Sequence, residues 1–108
     1  MGKFKESIMS YTVTFKIAEW VGGRWFVSSP TPYRLSWTST WDSNGPTSLT
    51  KQFVKGETCI IYWAGSNYEA KAITDSSHTI VQYVTGKGSY SFNVTQNVTY
   101  YVEMVELR

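Results

Sequence analysis

Apolar and polar residues alternate with a period of two over most of this chain, which constrains it to sheet more than any other feature does. In YRLSWTSTW, Tyr33, Leu35, Trp37 and Trp41 share one side, with Arg34, Ser36, Thr38 and Thr40 on the other. SYSFNV places Tyr90, Phe92 and Val94 together. VTYYVEMVEL sets Val98, Tyr100, Val102 and Met104 against Tyr101, Glu103 and Val105. ETCIIYWA is more continuously apolar, as a central sandwich strand should be. Between the runs lie the turn signals SSPTP, DSNGP, VKGE, AGSN, TDSSH and TGKGS, spaced about 10 to 12 residues apart as in small sandwiches and barrels. The pattern predicts strands near 24–29, 33–41, 48–54, 57–64, 67–74, 78–84, 89–95 and 98–107.

The segment before them, with IAEWVGGRWF at its end, supports two readings. Tyr11, Val13, Phe15 and Ile17 alternate with Thr12, Thr14 and Lys16; this is a strand pattern, and Gly22-Gly23 would then be a two-residue hairpin turn. Val13, Ile17, Trp20 and Val21 also fall at i, i+4, i+7 and i+8, a helical stripe that Gly22 could terminate. The β-branched Thr12, Val13 and Thr14 favour the strand.

A chain of 108 residues holds one hydrophobic core. Residues 1–10 read as an N-terminal extension, with Met9 a second possible start, and 11–108 as one mainly β, antiparallel sandwich domain. Five Trp, eight Tyr and five Phe are too many large rings for one small interior, so some are expected on a face that meets a partner. The net charge of +2 is scattered rather than blocked, a poor match to a phosphate-binding stripe. The lone Cys59, beside Ile60 and Ile61, reads as a small buried thiol. No apolar run approaches the length of a membrane span, and no classical signal peptide is visible. The expected state is soluble, with no membrane insertion; any release from the cell would not use such a signal.

Catalytic chemistry is thinly supplied. Asp75, Ser76, Ser77 and His78 contain hydrolase residue types, but consecutive turn residues cannot easily form a nucleophile, base and orienter chain. Gly86-Lys87-Gly88 lacks the context of a phosphate loop. Glu103 and Glu106 point to opposite faces of a strand, and a distant acid pair such as Asp42 with Glu69 has little in its favour. One His and one Cys make no metal motif. The expectation is a non-catalytic domain without cofactor or metal. Aromatic rings beside Ser, Thr and Asn suit sugar or base stacking, with Trp25, Tyr33, Trp37, Trp41 and Trp63 as carbohydrate-binding candidates. The two sequons in NVTQNVT, at Asn93 and Asn97, read as strand-edge composition.

TFKIA, Thr14 to Ala18, is similar to the T-F-x-L-A stretch near the start of the fungal immunomodulatory proteins, and the likeness runs without a gap to Phe26 and Pro30. TIVQYVTGKGSY followed by NVTYYVEMV resembles their late segment of tyrosine-bearing strand, glycine turn and closing strand. The likeness covers residues 11 to 105 in patches. It implies an immunoglobulin-like or fibronectin-III-like sandwich with a short N-terminal dimerisation helix, in a homodimer that engages cell-surface glycans or glycoproteins and stimulates immune cells. Carried over by position, Val13, Phe15, Ile17, Trp20 and Val21 would line the dimer contact. This chain departs from the family in having Cys59, His78 and Met9, and Gly22-Gly23 in place of a basic pair; the family's sugar-binding tryptophan falls near Pro32 and Tyr33. Two other roles fit the same residues: a sandwich that binds protein through its aromatic face, and an OB-type barrel for single-stranded nucleic acid, which the weak positive charge disfavours.

Overall fold

Residues 10–26, 34–40 and 45–106 are described by the computed structural model of the protein. The first strand, β1 (Ser10–Val21), organises the rest. Gly22 and Gly23 follow it at φ +62° and +83°, the positive values a type I′ hairpin turn requires at both central positions, and β2 (Arg24–Phe26) returns antiparallel with Val21 opposite Arg24. The remaining strands are β3 (Arg34–Ser36), β4 (Ser48–Val54), β5 (Thr58–Ala64), β6 (Tyr68–Asp75), β7 (Ile80–Tyr83), β8 (Ser89–Asn93) and β9 (Val98–Glu106).

These strands form two sheets. The larger has six strands in the order β2-β1-β9-β6-β7, with β4 also paired to β1; the smaller is β3-β5-β8. One edge of β1 is shared by β4, over Ser10–Lys16, and β2, over Glu19–Val21. The other edge runs parallel to β9 from Val13 opposite Val98 to Ala18 opposite Glu103; every other pairing is antiparallel.

The helix expected from the family resemblance is absent: 11–21 is strand, and no helix occurs among the described residues. A lone amphipathic helix would satisfy its own backbone but bury one stripe. As a strand, this segment bonds along both edges and turns Val13, Phe15 and Ile17 inward at 0, 0 and 1% exposure. Burying such side chains contributes about 1.5–3 kcal/mol each. Those three residues therefore belong to the chain's own core and not to a helical dimer contact. Val21 is exposed, and Trp20 lies half-buried on the sheet's other face.

The inner faces of the sheets meet in one core. From the larger sheet come Val13, Phe15, Ile17, Phe53, Ala70, Ile73, Val102 and Met104; from the smaller, Leu35, Cys59, Ile61 and Trp63. ETCIIYWA is the middle strand of its sheet, but it buries alternate residues only, leaving Ile60 40% exposed. The expected strand 33–41 is cut to 34–36. The Ser36 hydroxyl accepts the Thr38 N–H at 3.0 Å and the Thr38 hydroxyl accepts the Thr40 N–H at 3.4 Å, local bonds that compete with a sheet ladder. Strand expectations at 27–29, 33 and 41, and the extension at 1–9, lie outside the described residues.

Cys59 is fully buried, and burial pushes its thiol up to about 11, against a smaller opposing pull from Lys51. Because the thiolate is the reactive form, the native protein should take up no thiol reagent at pH 8 and one equivalent in denaturant, as read by mass spectrometry.

Candidate binding face on the larger sheet

Register, more than sequence proximity, assembles the outer face of the larger sheet. Along β1 the residues opposite the core are Thr12, Thr14, Lys16, Ala18 and Trp20. β4 places Gln52, Thr50 and Ser48 beside the first three, and β9 places Thr99 beside Thr14, Tyr101 beside Lys16 and Glu103 beside Ala18. A register shift between Ala70 and Ala72 changes which β6 side chains face out. Ala70 aligns with Met104 on the core side, whereas Ala72 aligns with Glu103 and Thr74 with Tyr101. Such a bulge re-aims the side chains that follow it, and it gives this face a floor of small, fully buried residues in Ala18, Ala72 and Thr74.

An aromatic cluster stands on that floor. Trp25, opposite Trp20 in the hairpin, stacks on Tyr101 with ring centroids 4.3 Å apart and planes at 4°. Trp20 meets Trp25 edge to face at 5.1 Å and stacks on His78 at 4.0 Å. Trp25 also meets His78 edge to face at 5.2 Å, and its indole N–H donates to the Ser76 carbonyl at 3.2 Å. To reach Tyr101 on β9 from β2 the Trp25 ring crosses β1. His78 also meets the carboxylate of Glu103, a residue only 4% exposed, with Oε1 2.8 Å from His78 Nε2.

His78 reaches the cluster because the β6–β7 connection is tightly tied. Asp75 Oδ1 accepts the N–H groups of Ser77 and Thr79 at 2.9 and 2.8 Å, and the Asp75 carbonyl accepts the His78 N–H at 3.0 Å. His78 takes φ +65°, a left-handed conformation that His adopts more readily than most residues. TDSSH is thus a turn, as its composition indicates, and it also carries the only histidine onto the sheet.

Next to the rings the face becomes a shallow polar groove lined by Thr12, Thr14, Asp75, Ser76, Asn97 and Thr99. Thr14 and Thr50 share a hydroxyl hydrogen bond of 3.0 Å. Asn97 accepts the Thr12 N–H through Oδ1 at 2.8 Å, and its amide hydrogens have no acceptor among the described residues. The hydroxyls of Thr12 and Thr99 and the second oxygen of Asp75 have no partner among the described residues. Among the described residues, Asp75 is the one charged side chain lining the groove. Its field reaches Tyr100, whose phenol is held above its ordinary value first by burial and then by this carboxylate.

Of the five residues expected to bind carbohydrate, the structure brings one to this face. Trp25 belongs to the cluster. Trp63 is 5% exposed and donates its indole N–H to the Lys87 carbonyl at 2.9 Å, which makes it a core residue. Trp37 packs on Phe15 and Phe53 under the Lys51 ammonium. Tyr33 and Trp41 lie outside the described residues. Tyr101, Glu103, His78 and the threonines were not expected there; alternation put Tyr101 and Glu103 on the side opposite Val102 and Met104, but only the register joins them to Trp20 and Trp25.

No protein-family model, curated protein or solved structure matches this chain. What the face can do is therefore set by its own chemistry. No group of three or more potential metal ligands occurs among the described residues, and no helix among them is long and apolar enough to cross a membrane.

Proposed function

We propose that this domain is a non-catalytic carbohydrate-binding protein that holds glycans on the outer face of its larger sheet. One observation carries the reading: the Trp25–Tyr101 stack is joined through Ser76 to a groove that offers hydroxyl, amide and carboxylate groups, several of them without a partner among the described residues. Rings supply the flat apolar contact that the C–H face of a sugar needs, and the groove supplies donors and acceptors for its hydroxyls. Agglutination or stimulation of cells through surface glycans, as the family resemblance implies, is part of the proposal. So are the immunoglobulin-like or fibronectin-III-like arrangement, supported by two packed sheets, and a homodimer. Any such dimer would need a contact other than the helical one.

His78 has one ring face against Trp20 and its Nε2 committed to Glu103, an arrangement suited to holding a loop rather than to moving a proton. Asp75 weighs against the nucleic-acid alternative, because a carboxylate in the groove repels a phosphate backbone.

The test is a glycan array followed by calorimetry on the best ligand. Trp25→Ala should weaken binding at least about tenfold, and Thr99→Val, which exchanges the hydroxyl for a methyl of similar size, about threefold to tenfold at an unchanged melting temperature. A blank array with folded protein would refute the proposal.

A further inference from the structure

Building on the carbohydrate-binding reading, we infer that the groove selects neutral over acidic glycans and that Asp75 is the residue that decides this. The loop makes the two oxygens of Asp75 unequal. Oδ1 is consumed by the N–H groups of Ser77 and Thr79, so it holds the β6–β7 connection and cannot turn to a ligand. The other oxygen has no partner among the described residues, while Asp75 lines the groove beside Ser76, across from Thr12 and Thr14 on β1. A carboxylate oxygen accepts hydrogen bonds only. It therefore suits a sugar hydroxyl, which donates, and opposes a sialic acid, uronic acid or sulfate ester.

Among the described residues no cation lines the groove to offset that charge. The other described residues of the lining, Thr12, Thr14, Ser76, Asn97, Val98 and Thr99, are all uncharged. Lys16 lies on the same face, but one step farther along β1, beside Tyr101 and outside the lining. Glu103 is paired with His78. A ligand carboxylate or sulfate entering the groove would thus meet one fixed negative charge at close range, worth about tenfold in affinity where solvent is partly excluded.

The geometry also supplies a clean test. In Asp75→Asn the amide oxygen can take the Oδ1 position and keep both loop hydrogen bonds, while the free oxygen becomes an NH2 group that only donates. The substitution therefore removes the charge and one acceptor of a groove-lining residue without untying the turn, and an unchanged melting temperature would verify this.

Wild type and Asp75→Asn are to be compared, at about 0.1 M salt, on neutral glycans printed beside their sialylated and sulfated counterparts. The expected result is that wild type binds the neutral member of each pair about tenfold tighter. Asp75→Asn should lose about tenfold on the neutral glycans and bring the paired ratio close to one. Wild type binding acidic members as well or better, or a ratio unmoved by Asp75→Asn, would overturn this inference while leaving carbohydrate binding intact. A blank array for folded wild type would overturn both.

Discussion

Deleting residues 1–21 should abolish cooperative unfolding altogether, and cutting Phe15 back to alanine should cost about 3–5 kcal/mol. The deletion removes the strand that joins β4 and β2 on one side to β9 on the other. Without β1, one edge of β9 loses its partner and β4 and β2 lose their place in the sheet. Phe15 gives the graded version. It is fully buried and lies edge-on or tilted to Trp37, Phe92 and Tyr100 at 6.3, 6.2 and 5.7 Å, so its removal opens a cavity and unpairs three ring contacts. For a domain of this size the melting temperature should fall on the order of 15 °C. A swapped or docked helix would behave differently, its loss leaving a folded monomer. Circular dichroism melts with light scattering distinguish the two: a folded, monomeric 22–108 fragment would contradict the sheet role of β1.

The strands were largely legible because each reports its own environment. The run at 98–107 alternates cleanly and is the strand Val98–Glu106, and the turn-bounded run at 48–54 is the strand Ser48–Val54. The first segment was double-valued, since Val13 and Ile17 fit a helical stripe as well as a strand. Phe15 and the threonines decide it, because a strand buries Phe15 whereas the stripe leaves it out. Trp37 is a subtler case: its side matched that of Leu35, but the chain leaves the sheet at Ser36 and the ring packs on the core from a loop. The binding face was not legible. Trp20, Trp25, His78, Tyr101 and Glu103 come from β1, β2, β9 and a loop, and they meet only through pairing registers and a one-residue bulge at Ala70–Ala72. Nothing local to VEMVEL distinguishes a buried Glu103 from a solvated one.

That burial makes the two members of the His78–Glu103 pair unequal, and His78→Asn should destabilise the protein more than Glu103→Gln. Asparagine tolerates the left-handed backbone at 78, so the substitution probes the ring and its bond and not φ. It is too short to fill the space of an imidazole stacked on Trp20, and it leaves a 4% exposed carboxylate unpaired. Breaking a buried pair from one side costs about 3–5 kcal/mol, because the remaining charge keeps its desolvation penalty. Glu103→Gln leaves an amide oxygen facing His78 Nε2, and the imidazole, with its side chain 24% exposed, retains access to water; the expected cost is about 1 kcal/mol. Combining the two should then be less damaging than His78→Asn alone, since the neutral amide in place of the Glu103 carboxylate has no charge to be left unpaired. Urea unfolding of the four proteins measures this as a coupling energy. Strict additivity would mean that the stacking of His78 on Trp20, and not its bond to Glu103, holds the loop against the sheet.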